Sequence, residues 1–150
     1  MNAREVAQMN HLNLRSEAEA LREDIVADRR WLHEHPELGF DLPETTAYVA
    51  KRLRDMGYEP EEIVPSGLVA LVGDTSGPCF LLRADMDALP LKEEADVPFA
   101  ATNGRMHACG HDAHAAMLLG AAQMLKNHEA DLGGCVKLVF QPDEEGTAPD

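Results

Sequence analysis

The sequence predicts an α/β protein with a mostly parallel sheet flanked by helices. Two short apolar runs, residues 68–72 and 79–82, are separated by a glycine-containing turn and are typical of adjacent strands. A third apolar run, 135–140, follows a segment rich in small residues that predicts a helix from Asp112. Strand, crossover helix and strand is the order of a parallel α/β unit. Because the runs alternate little, we expect both faces of the sheet to be covered.

Two further helices are predicted before these strands. The first begins at the capping-box spacing of Ser16 and Glu19 and ends near His35, because the residue before a proline disfavours helical backbone. The second begins at Pro43, a favoured first-turn residue, and ends at Gly57. A long polar stretch, residues 92–107, predicts a loop.

Composition excludes several classes of protein. The 150 residues include 27 acidic and 13 basic side chains, for a net charge of −14, which argues against a general nucleic-acid binder. No apolar run approaches the roughly 18 residues of a membrane span, so we expect no membrane insertion. The first residues lack the apolar core of a secretory signal, and the three widely spaced cysteines predict no disulfide framework. Together these features predict a cytoplasmic protein with reduced thiols.

Three polar clusters interrupt the apolar scaffold. Residues 83–87 follow one predicted strand, residues 141–146 follow another, and residues 106–114 open the helix between them. The carboxyl ends of parallel strands meet at one edge of a sheet, where ligands bind in open α/β folds. The predicted topology therefore brings the three clusters together.

The side chains of these clusters suit a metallohydrolase. Cys109 and His111 offer a thiolate and an imidazole, and Gly110 between them lets the backbone turn so that both face one ion. A soft sulfur, a ring nitrogen and a carboxylate suit zinc or a neighbouring transition ion. Glu144 and Glu145 are adjacent, and a bend at Gly146 allows one to bind an ion while the other takes a proton from water.

Each of these residues also has an ordinary structural explanation. A single cysteine is usually a small buried apolar group, a single histidine is usually hydrogen-bonded, and a Glu-Glu pair is usually a solvated turn. The residues expected to pack in the core are Cys79, Cys135, Met117 and Met124. His33 and His35 are interpreted as a structural helix end, since positions i and i+2 of a helix do not share a face. His128 and the acid-rich residues 93–96 are expected to be exposed.

Four motifs together resemble a known family. They are RWLHEHPELG at 30–39, LRADMDALP at 82–90, MHACGHDAH at 106–114 and FQPDEEG at 140–146. With these four motifs in this order, the chain resembles the N-terminal part of the metal-dependent aminoacylase and carboxypeptidase family that includes hippurate hydrolase and auxin-conjugate hydrolases. The resemblance covers about residues 20–147. It implies a polar N-terminal extension at 1–19 and an incomplete di-metal peptidase catalytic domain at 20–150.

The resemblance also implies roles for single residues. Cys109, His111 and Glu145 are implied to bind divalent metal, commonly two ions of zinc, manganese, cobalt or nickel. Glu144 is implied to be the general base and acid, and Asp87 to orient its neighbours.

Other positions near these residues have open roles. Asp85 stands where sister branches carry a metal-binding histidine, and His107 and His114 are expected near the site. Asp143 stands where an alanine is usual, and residues 147–150 depart from the family's glycine-rich run.

The implied activity is hydrolysis of the amide bond of small N-acyl-amino acids or short peptides. Family members are more than twice this length, with two further histidine ligands downstream and a smaller lid or dimerisation domain, so homo-oligomers are possible for the full-length family. An alternative is a truncated, non-catalytic metal-binding or interaction fragment. A third hypothesis, thiol catalysis by Cys109 with His111 as base, leaves the Glu pair unexplained.

Overall fold

A four-stranded mixed sheet and three helices form the fold, seen in a computed structural model that describes residues 14–146. Residues 14–20 are helical and lead through a turn at Leu21 into the first helix. The helices and strands are α1 (Arg22–Glu34), α2 (Pro43–Asp55), β1 (Glu61–Val64), β2 (Gly67–Gly73), β3 (Cys79–Asp85), α3 (His111–Asn127) and β4 (Cys135–Gln141), with a 3-10 turn at Glu129–Asp131. The three predicted helices and the predicted loop at 92–107 are confirmed, but Ser16 lies within helical residues and does not begin the first helix as predicted. The predicted extension at 1–19 lies mostly outside the described residues.

The strand order is β1-β2-β4-β3, which confirms the α/β class. β3 and β4 pair in parallel across the crossover helix α3, as predicted, whereas β1–β2 and β2–β4 are antiparallel. The sheet is therefore mixed. The expectation that β2 and β3 are adjacent is wrong, because β4 lies between them and pairs with both.

The core lies between one face of the sheet and the helices. Even-numbered residues of β2 and β4 are buried there, and α1 packs on α3, where a Cβ at Gly120 would lie 2.6 Å from Ile25 Cδ1. This close approach explains why α3 is rich in small residues. The main buried side chains are Leu32, Val49, Leu53, Ala84, Leu119, Leu138 and Phe140.

The prediction that both sheet faces are covered is wrong for the described residues. Phe80 and Leu81 of β3 are 73% and 59% exposed, and Leu71 of β2 is also exposed. β3 is an edge strand of the described sheet, and within residues 14–146 no layer covers the face that carries Leu71 and Leu81. The apolar run at residues 79–82 therefore predicted the strand correctly but overestimated the burial of its side chains.

Several single-residue expectations also differ from the structure. Met117 is 57% exposed because it lies on the side of α3 away from the core, and Cys79 is exposed at the start of the edge strand. Glu93 is buried, whereas Glu94 to Asp96 are exposed as expected. Cys135 is buried as predicted, Met124 is half-buried, and His128 is partly exposed beside Glu17.

Among the described residues, none of the helices combines the length and the apolar character that a membrane crossing needs.

Replacement of Gly73 by alanine is expected to lower the free energy of unfolding by about 3 kcal/mol. Gly73 ends β2 with φ +88°, and an added Cβ would lie 2.2 Å from the backbone oxygen of Gly134. Gly104 is a matched control, since its φ is +79° and no atom lies within 4 Å of its Cβ position. Gly104→Ala is therefore expected to cost only about 1 kcal/mol in urea unfolding. Equal losses in the two variants would contradict the steric explanation.

Candidate active site

The three predicted polar clusters meet at one edge of the sheet. Asp85 ends β3 opposite Gln141 at the end of β4, and the backbone N–H of Met86 donates to the Gln141 carbonyl at 2.9 Å. His111 begins α3, so the helix start reaches the same edge. The convergence predicted from the parallel β3–α3–β4 unit is confirmed.

The three residues predicted to bind metal lie close together. One donor atom from each of Cys109, His111 and Glu145 lies within 4.8 Å of the other two. Gly110 has φ +101°, a left-handed conformation that glycine adopts without strain, and it makes the turn between Cys109 and His111. Cys109 is exposed, Glu145 is half-buried and His111 is fully buried.

The imidazole of His111 has a defined orientation. Its Nδ1 lies 2.8 Å from the backbone carbonyl of Asp87, which only accepts, so Nδ1 carries the hydrogen and donates. Its Nε2 atom faces the carboxylates of Glu144 at 3.6 Å and Glu145 at 3.8 Å. Glu145 Oε1 is buried without a hydrogen-bond partner in the described chain. Donor atoms that converge in this way fit a divalent cation, which is the group that the donor set suits.

Asp87 links two of these residues. It is buried, its backbone carbonyl accepts from His111, and its Oδ2 accepts from the backbone N–H of Glu145 at 3.0 Å. The orienting role of Asp87 stays a prediction, and these are the contacts through which it would act.

Both glutamates reach the site because the backbone bends on either side of them. Asp143 has φ +50° and Gly146 has φ +63°, and the Asp143 N–H donates to the Gly39 carbonyl at 3.1 Å. The sequence predicted only the bend at Gly146. The Glu144 side chain is the more exposed of the two and thus the more accessible to water and substrate.

Asp85 and His114 lie beside His111 and form a second group of donor atoms with it. His114 Nδ1 and Asp85 Oδ1 are 2.5 Å apart, and Arg83 lies 3.3 Å from the other Asp85 oxygen. Burial acts to raise the pKa of Asp85, but the hydrogen bond from His114, a backbone hydrogen bond and the charges of His111 and His114 together outweigh it, so the pKa is lowered. Asp85 is therefore an anionic neighbour of the site near neutral pH.

His107 is buried next to the site but joins neither donor group. Neither of its ring nitrogens has a hydrogen-bond partner among residues 14–146, and burial lowers its pKa to about 4. It is therefore a neutral ring at neutral pH.

A buried ionic network behind the site was not predicted. Asp112, the residue after His111, lies 2.7 Å from His33 Nδ1 and 2.8 Å from Arg29 Nε. The other nitrogen of His33 lies 2.8 Å from Glu93, which also accepts the backbone N–H of Ala101. The network ties α1 and the loop 92–107 to the start of α3. The only sequence signal for it was polar residues inside motifs 30–39 and 106–114.

The comparisons with known proteins agree with this geometry. Residues 81–149 match the model of Peptidase family M20/M25/M40. An IAA-amino acid hydrolase ILR1-like 5 of Arabidopsis thaliana is 47% identical over 135 residues, which are 86% of this chain and 31% of the relative. An N-acetyl-L-cysteine deacetylase of Bacillus subtilis is 43% identical over 131 residues, 85% of this chain and 32% of the relative.

A solved structure supports the same relationship. The Bacillus subtilis YXEP protein, described as a dinuclear metal binding peptidase from the M20 family, superposes with a TM-score of 0.80 at 41% identity. The match covers 85% of this chain and 36% of that chain. The chain thus spans about a third of the length of the relatives it matches.

The fold is an α/β fold, and the donor set at its sheet edge suits a divalent transition ion. The predicted resemblance is confirmed: residues 81–149 match the model of Peptidase family M20/M25/M40, and most of the chain is similar to about a third of each relative.

Proposed function

We propose that this chain forms the N-terminal part of the catalytic domain of a metal-dependent amidohydrolase. Its reaction is hydrolysis of the amide bond of N-acyl-amino acids or short peptides. The observation that carries the proposal is the convergence of Cys109, His111 and Glu145, with His111 Nε2 facing the carboxylates of Glu144 and Glu145. Two of the relatives, an IAA-amino acid hydrolase and an N-acetyl-L-cysteine deacetylase, support the same chemistry.

Cys109, His111 and Glu145 are the residues that would hold the ion. A divalent ion bound there would supply the Lewis acidity that activates water near neutral pH and polarises the amide carbonyl. The mixed sulfur, nitrogen and oxygen donors favour zinc or a neighbouring transition ion over calcium or magnesium. The resemblance implies zinc, manganese, cobalt or nickel. Two ions, as in the dinuclear relative, are part of the proposal, and Asp85 with His114 is the neighbouring donor pair in this chain.

The remaining residues move protons and fix positions. Glu144 takes the proton from the attacking water and passes it to the leaving nitrogen, because its carboxylate is accessible and lies 3.6 Å from His111 Nε2. Asp87 holds both His111 and Glu145, which keeps the imidazole in the tautomer that presents Nε2. A cytoplasmic location and homo-oligomers are further parts of the proposal and rest on the sequence alone.

The direct test is metal analysis and an amidase assay on the 150-residue chain. After removal of metal with a chelator, Zn²⁺, Mn²⁺, Co²⁺ and Ni²⁺ are added back one at a time, and release of free amino acid from N-acetyl-amino acids is measured. Metal binding is the expected result, and any turnover should disappear with the chelator and return with metal. A chain that neither binds these ions nor hydrolyses the substrates would refute the proposal.

A second candidate is a non-catalytic metal-binding or interaction fragment. The exposed apolar side chains of the edge strand β3, Phe80 and Leu81, favour it because such surfaces commonly contact a partner. Metal binding without turnover in the same assay would support this candidate.

Thiol catalysis by Cys109 is disfavoured. The contact with Glu145 and the surrounding carboxylates raise the pKa of the Cys109 thiol, the opposite of what an activated thiol nucleophile needs. Activity lost with a thiol-alkylating agent but kept with a chelator would reverse this ranking.

A further inference from the structure

Two cysteines outside the site lie in contact at the far end of the same strand pair. Cys79 is the first residue of β3 and Cys135 the first residue of β4, and they face each other in the parallel register. Their sulfur atoms are 3.1 Å apart, and both thiols are free. Neighbouring strands place backbones about 4.8 Å apart, which is inside the range that a disulfide spans.

The two thiols differ in access. Cys79 is exposed to solvent, whereas Cys135 is buried beneath it. The contact with the Cys79 sulfur, together with burial, raises the pKa of the Cys135 thiol. An external reagent therefore meets Cys79 first, with Cys135 directly behind it.

We propose that Cys79 and Cys135 form an intramolecular disulfide by exchange with a low-molecular-weight disulfide. The Cys79 thiolate attacks one sulfur of that disulfide, forms a mixed disulfide and releases the first small thiolate. The Cys135 thiolate then attacks the Cys79 sulfur, forms the intramolecular bond and releases the second. The protein loses two electrons, the small disulfide gains them, and the two protein protons end on the two released thiols.

This bond would fasten β3 to β4 at the end opposite the candidate active site. Asp85 lies six residues beyond Cys79, about 20 Å along an extended strand, so the bond leaves the site's donor atoms free. It also closes the loop that contains α3, which restricts the unfolded chain. The expected physical effect is a higher urea midpoint for the oxidised chain.

The test uses a Cys109→Ser chain, in which only these two thiols remain. It is incubated with oxidised glutathione, quenched with acid and analysed by mass spectrometry with peptide mapping. The expected product lacks the mass of two hydrogen atoms, carries no glutathione and links the Cys79 peptide to the Cys135 peptide. A stable glutathione adduct on Cys79, or an unmodified chain, would overturn the proposal.

Matched variants separate the two steps. With Cys79→Ser added, little modification of the buried Cys135 is expected, and with Cys135→Ser added, the mixed disulfide on Cys79 should accumulate. The urea midpoint of the oxidised Cys109→Ser chain should rise and return to its initial value after reduction. A lower midpoint on oxidation would contradict a bond that fits the folded sheet. Should Cys109→Ser not fold, peptide mapping of the wild-type chain distinguishes a Cys79–Cys135 link from any link to Cys109.

Discussion

Glu144→Gln is expected to reduce amide hydrolysis by about 10²- to 10⁴-fold and to leave metal affinity nearly unchanged. Glutamine has nearly the shape of glutamate, but its amide does not take up a proton near neutral pH. Glu144 is also the more exposed of the two glutamates, so its carboxylate is the one free to meet water and substrate. Initial rates on an N-acetyl-amino acid and calorimetric titration with Zn²⁺ measure the two quantities.

Glu145→Gln is the matched control for this prediction. Glu145 supplies a donor atom to the group with Cys109 and His111, so its replacement is expected to weaken metal binding sharply. The comparison of the metal affinities of the two variants requires no turnover and can be made on the 150-residue chain. If Glu144→Gln lost metal and Glu145→Gln kept it, the two roles would have to be exchanged.

The sequence predicted the elements that build the site because their signals are local. An apolar run followed directly by acidic residues marks the carboxyl end of a strand, as at 79–87 and 135–145. The crossover through α3 then fixed the parallel pairing of β3 with β4 and brought His111 to their ends. The grouping of the donor atoms could therefore be predicted from three separate polar segments and from the rule that the carboxyl ends of parallel strands meet at one edge of a sheet.

The sheet order was less accessible from the sequence. Placement of β4 between β2 and β3 is a choice between long-range pairings, and no local pattern encodes it. The strand β1 was missed because its four residues are exposed and begin with two glutamates, a composition typical of a turn. Burial of β3 was overestimated because an apolar sequence reports the preference of a side chain and not what packs on it.

The buried acids show the same limit for single residues. Glu93 lies in a run of charged residues, a composition that predicts an exposed segment. Its burial is explained only by its tertiary contacts with His33 and Ala101. A buried carboxylate is tolerated when hydrogen bonds satisfy it, and those partners lie 60 and 8 residues away along the chain. Such an arrangement has no signature in composition.

Asp112→Ala is expected to lower the free energy of unfolding by about 3–5 kcal/mol. The change removes a buried carboxylate that contacts both Arg29 and His33, and leaves the buried Nδ1 of His33 without its carboxylate partner while the half-exposed Arg29 loses an ion pair. Because Asp112 follows His111, metal affinity is also expected to fall as the start of α3 loosens. Urea unfolding monitored by circular dichroism measures the first effect, and calorimetric titration with Zn²⁺ measures the second.

Asp131→Ala is the control for this loss. The Asp131 side chain is 85% exposed and its nearest cationic partner, His128, is 3.9 Å away. Its replacement is expected to change stability by no more than about 0.5 kcal/mol. Similar losses in both variants would contradict the assignment of Asp112 to a buried ionic network.

Glu93, the other acid of the buried ionic network, is expected to make the free energy of unfolding depend on pH in the acid range. Burial acts to raise the pKa of Glu93, but the hydrogen bonds from His33 and the Ala101 N–H, together with the charges of His33 and Arg29, outweigh it, so the folded pKa lies below the ordinary value of 4.5. Below about pH 4.5 the carboxyl of Glu93 therefore binds a proton more readily in the unfolded chain than in the folded chain. The contribution of Glu93 to the free energy of unfolding is complete above about pH 4.5 and is lost as the pH falls through the folded pKa.

Glu93→Gln provides the measurement, because glutamine cannot titrate. The difference in unfolding free energy between the wild type and Glu93→Gln is expected to be largest at neutral pH and to shrink steadily below about pH 4.5. Glu94→Gln, at the exposed neighbouring position, should show a small and nearly constant difference. A constant gap between wild type and Glu93→Gln from pH 7 to pH 3 would mean that Glu93 has no lowered pKa in the folded chain. The network would then stabilise α3 through packing rather than through charge.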